Sequence, residues 1–545
     1  MASPDSDSST PRGEAWVWFS GLGLIVGLGM VVGLLTLVVL NGASVFWAPP
    51  VPVAQLDDGR TLIGQLAQRR VRPGSSAADP RYERQYQVGL RELNGNSYLW
   101  VDETKVKAET FPADILGLER VENGPAFVRP RSLRKSDGQV IPVADPAFEA
   151  AFQAEVAAAT AIREKLVEIT RHRIGDVNAE MDQARVSLRR AEDLRLAPDI
   201  VLHQGEIAAL ERRFALLQAE AKTVVDQGAV ASLVSSDAAG REVVVPLTQV
   251  IRGWFPNRLD TWGRVKLFVS RLGEFVFDEP REANTEGGLM PAIFGTLVMT
   301  VFMSLLVTPF GVITAIYLRE YAKQGALLRV VRISVNNLAG VPSIVFGVFG
   351  LGFFVYVLGG SIDQLFFSDQ LKYNNNTPVF GTGGLLWCSL TLALMTLPVV
   401  IVATEEALAA VPRGMREASL ATGASKWQTI RDILLPASAP GILTGVILAM
   451  ARGAGEVAPL MLVGVVKLAP TLPLDGSAPF LHMDRKFMHL GFHVYDLGFQ
   501  SPDSDAARPM VFATTLLLII LVVCLNLGAI TIRNRLRARF KGASF

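Results

Sequence analysis

The sequence contains little of what most enzymes and metal-binding proteins need. It has two cysteines and five histidines in 545 residues. Cys388 and Cys524 both lie inside apolar runs, so we expect small buried thiols and no disulfide framework. His489 and His493 could share a metal ion, but no third ligand is obvious, so ordinary loop histidines are favoured. We therefore predict no catalytic residue, no metal site and no cofactor bound by this chain.

A nucleotide-binding signature is also absent. No segment of the form G-x-x-x-x-G-K-[ST] occurs, so the chain is not expected to hydrolyse ATP itself. Basic residues are not in excess, because 52 Lys and Arg stand against 51 Asp and Glu, for a net charge of +1. A general nucleic-acid-binding protein needs a basic surplus to neutralise phosphates, so we expect no nucleic-acid partner.

Charged residues are unevenly distributed along the chain. They concentrate between residues 55 and 285, and most of the remainder consists of long apolar runs. A chain of this length predicts two or more structural units. Three acidic residues of a later loop, Asp475, Asp484 and Asp496, are interpreted as solvated charges.

The apolar runs predict an all-α integral membrane protein with six transmembrane helices. The first run, 16–40, has no charged residue and is long enough to cross about 30 Å of hydrocarbon. Its length and its acidic front favour an uncleaved anchor over a signal peptide. Five further runs reach the length of a spanning helix after a wide gap: Pro291–Tyr317, Leu338–Leu358, Gly384–Val402, Ile442–Val463 and Val511–Ile532.

Basic residues near the ends of the runs predict the orientation in the membrane. Arg and Lys are frequent in 318–337, in 403–440 and in the tail 533–545. Because cytoplasmic segments carry such an excess, both termini, including the tail 1–15, are expected in the cytoplasm of a bacterial cell. The segment 43–287 is then expected in the periplasm, and 288–532 forms the main membrane domain.

The segment 43–287 has the pattern of an α+β domain. Short strand-like runs, 61–66, 86–93 and 97–101, are separated by turn signals such as Asn94-Gly95 and Asn123-Gly124. Apolar residues then recur at spacings of three and four over about 147–226, which predicts a helical coiled-coil hairpin with Pro198 between its arms. An amphipathic helix packed on another element remains the alternative.

The loop 405–436 is the most informative stretch of the membrane domain. Pro412 suits the start of a short helix and Gly423 its C-terminal stop. Ser425 with Gln428 forms a capping box that starts a second helix, and Pro436 marks the entry to the next span. One face of the second helix is expected to carry Trp427, Ile430 and Leu434. The loop is either a rigid knob that moves two spans or an ordinary surface connection anchored by Trp427.

A family resemblance distinguishes these alternatives. Glu417-Ala418-Ser419, three residues, Gly423, nine residues, Ile433, one residue, Leu435-Pro436 resembles the EAA loop of ABC-importer permeases, with Ser419 in place of the second Ala. The resemblance implies that the first helix docks in a groove of a separate ATPase subunit, which uses the ATP. It assigns ATPase coupling to Glu417, Ala418, Ser419 and Gly423.

Three further segments are similar to the PstA-type permeases of high-affinity phosphate importers. They begin at Glu286, Gly340 and Arg452, and the likeness covers about 280–535, with Val457 where Thr or Ser is common. The resemblance implies a type I ABC-importer permease core. The implied partners are a homologous PstC-like permease, two PstB-like ATPase subunits, a periplasmic PstS-like phosphate-binding protein and membrane lipid. The domain 43–287 corresponds to a longer variant of the family, and the resemblance does not imply its role.

Arg452 and Glu456 are the candidate transport-pathway residues. If the fifth span begins near Leu443, Arg452 lies about 14 Å along it, where a charge needs a partner or a water-filled path. The two side chains either neutralise each other or present Arg452 to an oxyanion while Glu456 holds it in place. A permease for molybdate or sulfate, and a membrane-anchored sensor or scaffold, remain alternatives to phosphate transport.

Overall fold

The structure, a computed structural model, describes residues 15–75, 80–228, 231–476, 480–501 and 504–541. Within these ranges six helices are long and apolar enough to span a membrane, which confirms the predicted number. They are Trp18–Ser44, Met290–Tyr321, Ser343–Phe366, Leu385–Ala409, Lys426–Gly453 and Ala507–Arg535. The bounds predicted for the fifth span are wrong, because its helix starts at Lys426 and ends at Gly453.

The N-terminal helix α1 (Ala15–Ser44) is apolar all round, and its side chains are almost all exposed. This is expected for a helix whose surroundings are lipid rather than protein. It contacts the C-terminal helix (Ser504–Lys541) near its end, where a Cβ on Gly42 would lie 3.0 Å from the carbonyl oxygen of Phe512. Glycine therefore permits close packing of the first and last spans.

The segment after α1 folds into a β-rich domain, as predicted. Its regular elements, in chain order, are β1 (Val53–Leu56), β2 (Thr61–Ile63), β3 (Gln65–Val71), β4 (Tyr82–Gln87), α2 (Arg91–Asn94), β5 (Tyr98–Asp102), β6 (Val106–Thr110), β7 (Leu116–Arg120), β8 (Ala126–Arg134) and β9 (Val140–Pro142). The largest sheet has the order β11-β10-β8-β7-β12, where β10 (Ser232–Ser236), β11 (Glu242–Pro246) and β12 (Val250–Trp254) come later in the chain. β9 pairs with β8, and two three-stranded sheets, β2-β1-β6 and β3-β4-β5, complete the domain.

The turn signals in this domain were partly informative. Asn123 and Gly124 join β7 to β8 with φ of 65° and 69°, which matches the predicted turn. The strand predicted over 86–93 is wrong beyond Gln87, because Leu90 has a φ of 48° and the chain turns into α2. A left-handed residue cannot continue a strand.

A helical hairpin is inserted between β9 and β10. Its first arm is α3 (Phe148–Val167), a π-helical turn and α4 (Ile174–Asp193), and its second arm is α5 (Ala197–Gly228). Ion pairs between Arg173 and Glu220 and between Arg213 and Glu180 show that the arms are antiparallel. Buried and partly buried apolar residues from both arms form a continuous seam: Ile162, Leu166, Ile169, Ile174, Val177, Met181, Leu210, Phe214, Leu217, Ala221 and Val224.

A short helical connection joins this domain to the membrane core. Helix α6 (Thr261–Phe277) is capped by Asp260, whose carboxylate accepts a hydrogen bond from the Gly263 amide at 2.8 Å. A two-stranded ribbon follows, formed by β13 (Pro280–Arg281) and β14 (Glu286–Gly287). The ribbon leads directly into the second span.

The membrane core is built around one central helix. Its helices, in chain order, are α7 (Met290–Ile316), α8 (Ala326–Leu338), α9 (Ser343–Phe349), α10 (Gly360–Phe366), α11 (Ser368–Tyr373), α12 (Leu385–Ala409), α13 (Arg413–Ala421), α14 (Lys426–Thr429), α15 (Leu435–Gly453), α16 (Ala458–Val463), α17 (Leu490–Tyr495) and α18 (Ser504–Lys541). Helix α12 packs between α7 and α15, and its span is the most deeply buried of the six. Close approach needs small residues, since a Cβ on Gly311 of α7 would lie 2.6 Å from Val400.

Candidate functional site

The loop between α12 and α15 contains the predicted first helix and stop. Helix α13 begins directly after Pro412 and is followed by Gly423, whose φ is +88°. A Cβ on Gly423 would meet nothing within 4 Å, so the backbone conformation and not space requires glycine here. The predicted helix stop at this position is confirmed.

The second helix of the loop starts as predicted but does not end where predicted. The Ser425 side chain and the Gln428 amide form the predicted capping box. From Lys426 the chain then remains helical through a π-helical turn, Ile430–Leu434, into α15. Pro436 is the second residue of α15, directly after this π-helical turn, and the helix continues past it. The loop is therefore continuous with the fifth span.

The predicted apolar face of this helix is only partly buried. Ile430 and Leu434 are each 1% exposed and pack with Ile316, while Trp427 is 52% exposed. Trp427 precedes the π-helical turn and does not share the buried surface of Ile430 and Leu434. The interpretation of the three residues as one buried face is therefore wrong for Trp427.

Polar contacts fasten the loop to the end of the second span. The Arg416 guanidinium lies 2.8 Å from the carboxylate of Glu320, whose side chain is almost fully buried. The Lys426 ammonium donates to the Glu320 carbonyl oxygen and lies over the ring of Tyr321. Because Glu320 follows α7 directly, the loop is connected to the second span as well as to the fourth and fifth.

The outer surface of α13 is free of contacts with the rest of the chain. None of its residues is buried, and Met415 and Leu420 are 45% and 48% exposed. Glu417 and Ala418 are exposed, and Glu417 has no ion-pair partner among the described residues. Exposed apolar side chains together with an unpaired carboxylate are typical of a surface that contacts another protein.

Ser419 has a different position from Glu417 and Ala418. It is half-buried, and its hydroxyl lies 2.9 Å from the hydroxyl of Thr429, which is 2% exposed. This hydrogen bond connects the first helix of the loop to the helix that becomes the fifth span. In the sequence, Ser419 is only a minor departure from the Ala of the family motif. Nothing in the local sequence pattern predicts that its hydroxyl contacts Thr429, ten residues later.

Arg452 and Glu456 lie together at the opposite end of the fifth span. The Nε atom of Arg452 is 3.8 Å from Oε1 of Glu456, an ion pair too long for a hydrogen bond. Their side chains are 38% and 23% exposed, so the Arg452 guanidinium is accessible. Since Arg452 is 26 residues after Lys426 in a continuous helix, the loop and the arginine are about 39 Å apart along the axis of that helix.

The position of Arg452 along its helix differs from the predicted one. The helix starts well before Leu443, so Arg452 lies in its last turn. Glycines at 453 and 455, followed by Pro459, end the helix because both residue types disfavour its continuation. Glu456 is therefore in the turn after α15 and not on the same helix.

The three segments that resemble permease sequences, which begin at Glu286, Gly340 and Arg452, contact one another or hold neighbouring loops. A Cβ on Gly347 of α9 would lie 2.7 Å from the Cα atom of Pro459 in α16, so two distant segments pack backbone against backbone. The hydroxyl of Thr296 in α7 accepts a hydrogen bond from the Leu490 amide at 2.9 Å. These glycine and threonine positions therefore fix the packing of the core.

The loop after α16 differs from its prediction. His489, His493 and Asp496 are 1–2% exposed, so they are not ordinary solvated loop residues. Burial lowers the pKa of His489 to about 3 and that of His493 to about 4, which keeps both imidazoles neutral. The Asp496 carboxylate lies 3.0 Å from the Lys467 ammonium.

Asp475 is also paired rather than free. Its carboxylate lies 3.0 Å from the imidazole of His482 and forms a second ion pair with Arg485. Asp484 is half-buried. The interpretation of the three aspartates as solvated charges is thus wrong for Asp496 and Asp475, because the loop folds back onto the core.

Known proteins resemble the membrane core of this chain. Residues 307–541 match the family described as "Binding-protein-dependent transport system inner membrane component". The phosphate transport system permease protein PstA 1 of Mycobacterium tuberculosis (strain CDC 1551 / Oshkosh) is 33% identical over 284 residues, which cover 52% of this chain and 80% of that protein. The probable ABC transporter permease protein YqgI of Bacillus subtilis (strain 168) is 30% identical over 269 residues, which cover 48% and 83%. A solved structure of the MetNI methionine ABC transporter in an inward-facing conformation aligns with a TM-score of 0.34 and 21% identity, covering 46% of this chain and 95% of that chain.

Proposed function

The chain belongs to the family of binding-protein-dependent transport system inner membrane components, and on that basis we propose that it is the permease subunit of an ATP-driven phosphate importer. It is a multi-pass protein of the inner membrane, with six spanning helices. The phosphate permease from Mycobacterium tuberculosis supports the choice of substrate, since the likeness covers most of that protein. The alternatives are a permease for molybdate or sulfate and a membrane-anchored sensor or scaffold.

One observation supports the coupling role most strongly. The loop with the exposed surface around Glu417 and Ala418 is continuous with the fifth span, and Arg452 lies at the far end of the same helix. In this proposal a displacement of α13 by a docked ATPase subunit is transmitted along this continuous helix. Ser419 and Gly423 keep α13 in a fixed position relative to that helix, through a hydrogen bond and a defined turn.

Arg452 acts as the contact for the oxyanion in this proposal. Its guanidinium is accessible, and planar bidentate donors suit phosphate oxygens. Glu456 holds the guanidinium in place from 3.8 Å and lowers the local positive charge enough for the anion to leave again. The chemistry of this pair fits oxyanions in general, so discrimination among them rests with the protein that delivers the substrate.

The complete importer contains further subunits. A homologous PstC-like permease forms the other half of the pathway, two PstB-like ATPase subunits bind and hydrolyse ATP, and a PstS-like protein delivers phosphate. In this arrangement the loop and both termini are cytoplasmic, and the β-rich domain with its hairpin is periplasmic. ATP binding closes the ATPase subunits and switches the core by rigid-body movement between inward-facing and outward-facing states.

Reconstitution of the complete importer in proteoliposomes tests the proposal. We expect ATP-dependent accumulation of radiolabelled phosphate that excess unlabelled phosphate suppresses and excess molybdate or sulfate does not. Accumulation of molybdate or sulfate, with no accumulation of phosphate, assigns the chain to another oxyanion. Absence of accumulation of all three anions, in a complex that assembles with its ATPase, supports a sensor or scaffold instead.

A further inference from the structure

A large cavity lies where the β-rich domain meets the membrane spans. Its volume is about 730 Å³, which is in the range of small-molecule binding sites. Residues from the end of α1, the sheet, α6 and the ribbon between β13 and β14 line it, together with Pro509 and Met510 of α18. The cavity is therefore bounded by the ends of two spans and by the domain that covers them.

One side of the cavity is apolar and borders the spans. Its rings and thioether come from both spans and from the helix between them: Phe46, Trp47, Phe268, Phe275 and Met510. Phe46 packs edge-to-face against Phe275, with ring centroids 5.0 Å apart, so the wall is well ordered. An apolar wall beside the ends of membrane-spanning helices suits the hydrocarbon part of a lipid.

The opposite side carries charged residues, most of which are already paired. The Glu119 carboxylate lies 2.6 Å from Arg271 and 3.2 Å from Arg252. The Glu274 carboxylate lies 3.0 Å from Arg252 and also pairs with Arg281. These pairs join three guanidinium groups to two carboxylates in one network, which therefore carries one positive charge in excess.

Two charged groups of the lining stand outside this network. Glu286 has no hydrogen bond from its carboxylate and no ion pair among the described residues, although it lines the cavity. Burial, the largest cause, and the nearby carboxylates of Glu119 and Glu282 raise the pKa of Glu286 to about 7, while the charges of Arg281 and Arg120 act in the opposite direction. Neither guanidinium forms an ion pair with Glu286 within 4.0 Å among the described residues, so this carboxyl group gains from a cationic partner that donates hydrogen bonds to it directly.

Arg91 is the second such group. Its guanidinium makes no hydrogen bond among the described residues, and its ion pair with Glu282 is long, at 3.9 Å. Glu282 is already engaged, because it accepts a hydrogen bond from the Asn123 amide at 2.9 Å. The cavity thus offers one carboxyl group without a directly paired cation and one guanidinium without a close anion.

We propose that this cavity binds an aminophospholipid, with the lipid ammonium at Glu286, the lipid phosphate at Arg91 and the first part of the acyl chains against the wall of Phe46, Trp47 and Met510. A primary ammonium donates hydrogen bonds to a carboxylate, whereas the quaternary ammonium of a choline lipid cannot. The site therefore distinguishes ethanolamine from choline lipids. The bound lipid fastens the β-rich domain to the ends of α1 and α18.

Native mass spectrometry of the full-length protein, released from nanodiscs with equal amounts of phosphatidylethanolamine and phosphatidylcholine, tests the proposal. We expect one retained phosphatidylethanolamine, favoured over phosphatidylcholine by about tenfold, since a hydrogen bond to a charged group contributes roughly that factor. Equal retention of the two lipids overturns the proposal. The comparison needs no variant, so it does not depend on the folding of any mutant.

Two variants then assign the groups. Glu286→Gln is expected to bring the ratio of retained phosphatidylethanolamine to retained phosphatidylcholine close to one. Arg91→Ala is expected to lower the retention of both lipids without changing this ratio. The matched control is Glu211→Gln, which changes an exposed carboxylate of the hairpin and should change neither value. An unchanged preference in Glu286→Gln overturns the role of that residue.

Soluble O-phosphoethanolamine distinguishes the lipid from its headgroup. We expect it not to displace the retained lipid at equal concentration, because it makes no contact with the apolar wall. Displacement at that concentration would mean that the cavity binds a soluble zwitterion, which contradicts the lipid proposal.

Discussion

The hydroxyl of Ser419 lies 2.9 Å from the hydroxyl of Thr429, and this contact joins the two helices of the loop between α12 and α15. The second helix has no break before Gly453, so Ser419 links the proposed ATPase-binding surface to the whole fifth span. The family resemblance implies alanine at this position, where no such hydrogen bond can form. Here a single hydroxyl group adds a hydrogen bond between the two helices of the loop.

Ser419→Ala should loosen this joint without unfolding the loop. Thr429 keeps its bond to the Ser425 carbonyl oxygen at 3.1 Å, so the loss is that of one hydrogen bond, about 0.5–1 kcal/mol. Amide hydrogen exchange across α13 should therefore become about two- to fivefold faster. The control is Ser361→Ala, which removes a hydroxyl from another span. Identical exchange rates in the wild type and Ser419→Ala would refute the role of the hydrogen bond.

Gly347→Ala should destabilise the core. The added Cβ would lie 2.7 Å from the Cα atom of Pro459, and a backbone atom cannot move aside as a flexible side chain can. We expect a loss of about 1–3 kcal/mol, seen as a lower midpoint of thermal unfolding of the purified protein. Gly352→Ala is the matched control in the same span, since its Cβ would meet nothing within 4 Å. The packing argument fails if the two variants unfold at the same temperature.

Acid should destabilise the protein through its buried histidines. The pKa of His489 is lowered to about 3 and that of His493 to about 4, whereas an unfolded chain has a pKa near 6.5. Between pH 6.5 and 4 the unfolded state binds protons that the folded state excludes. The free energy of unfolding is therefore at its full value above pH 6.5. Below pH 6.5 it falls by about 1.4 kcal/mol per pH unit for each histidine.

His493→Gln should reduce this pH dependence. Unfolding midpoints recorded between pH 7 and pH 5 should fall less steeply in the variant than in the wild type. His172→Gln, which replaces an exposed histidine of the hairpin, should keep the wild-type slope. Equal slopes in His493→Gln and the wild type would show that His493 titrates normally.

The tip of the helical hairpin is attached to the core, and this attachment should depend on a few polar contacts. Asp193 accepts a hydrogen bond from the Tyr373 hydroxyl at 2.7 Å, and Arg189 donates to the Tyr373 carbonyl oxygen at 2.8 Å. Each exposed pair contributes at most about 1 kcal/mol, so both residues must be changed to release the tip. We expect Arg189→Ala with Asp193→Ala to broaden the distance distribution between spin labels on the hairpin and on the core.

Suitable label positions are cysteines at Gln183 and Thr377, both exposed, with Cys524 replaced by alanine. Arg212→Ala, an exposed change elsewhere on the hairpin, should leave the distribution narrow. A narrow distribution in the double variant would show that other contacts hold the tip.

Local signals in the sequence predicted local features well. The helix stop at Gly423, the capping box at Ser425 and the turn at Asn123-Gly124 depend on a few adjacent residues, and all three are present. The number of spans followed from the length of apolar runs, because a bilayer fixes the length of a spanning helix. The two arms of the hairpin followed from the spacing of their apolar residues.

Features that depend on tertiary packing could not be predicted in this way. Pro436 was expected to mark the entry to the fifth span, but the helix of that span already begins at Lys426 and continues through a π-helical turn into α15. The burial of His489 and Asp496 arises because a loop folds back onto α7 and α18, which no spacing within the loop indicates. The partner of Ser419 likewise depends on how two helices meet.

The central claim is that one continuous helix connects an ATPase-binding loop to the arginine that contacts the transported anion. ATP hydrolysis and radiolabelled phosphate uptake, measured together in proteoliposomes that contain the complete importer, test it most directly. Glu417→Lys should lower both rates by about tenfold or more, because a reversed charge at an interface costs several kcal/mol. Arg452→Ala should lower uptake by about tenfold and leave ATP hydrolysis near the wild-type rate. Glu211→Lys, an exposed charge reversal on the hairpin, is the control and should change neither rate. Wild-type uptake in both Glu417→Lys and Arg452→Ala would contradict the account.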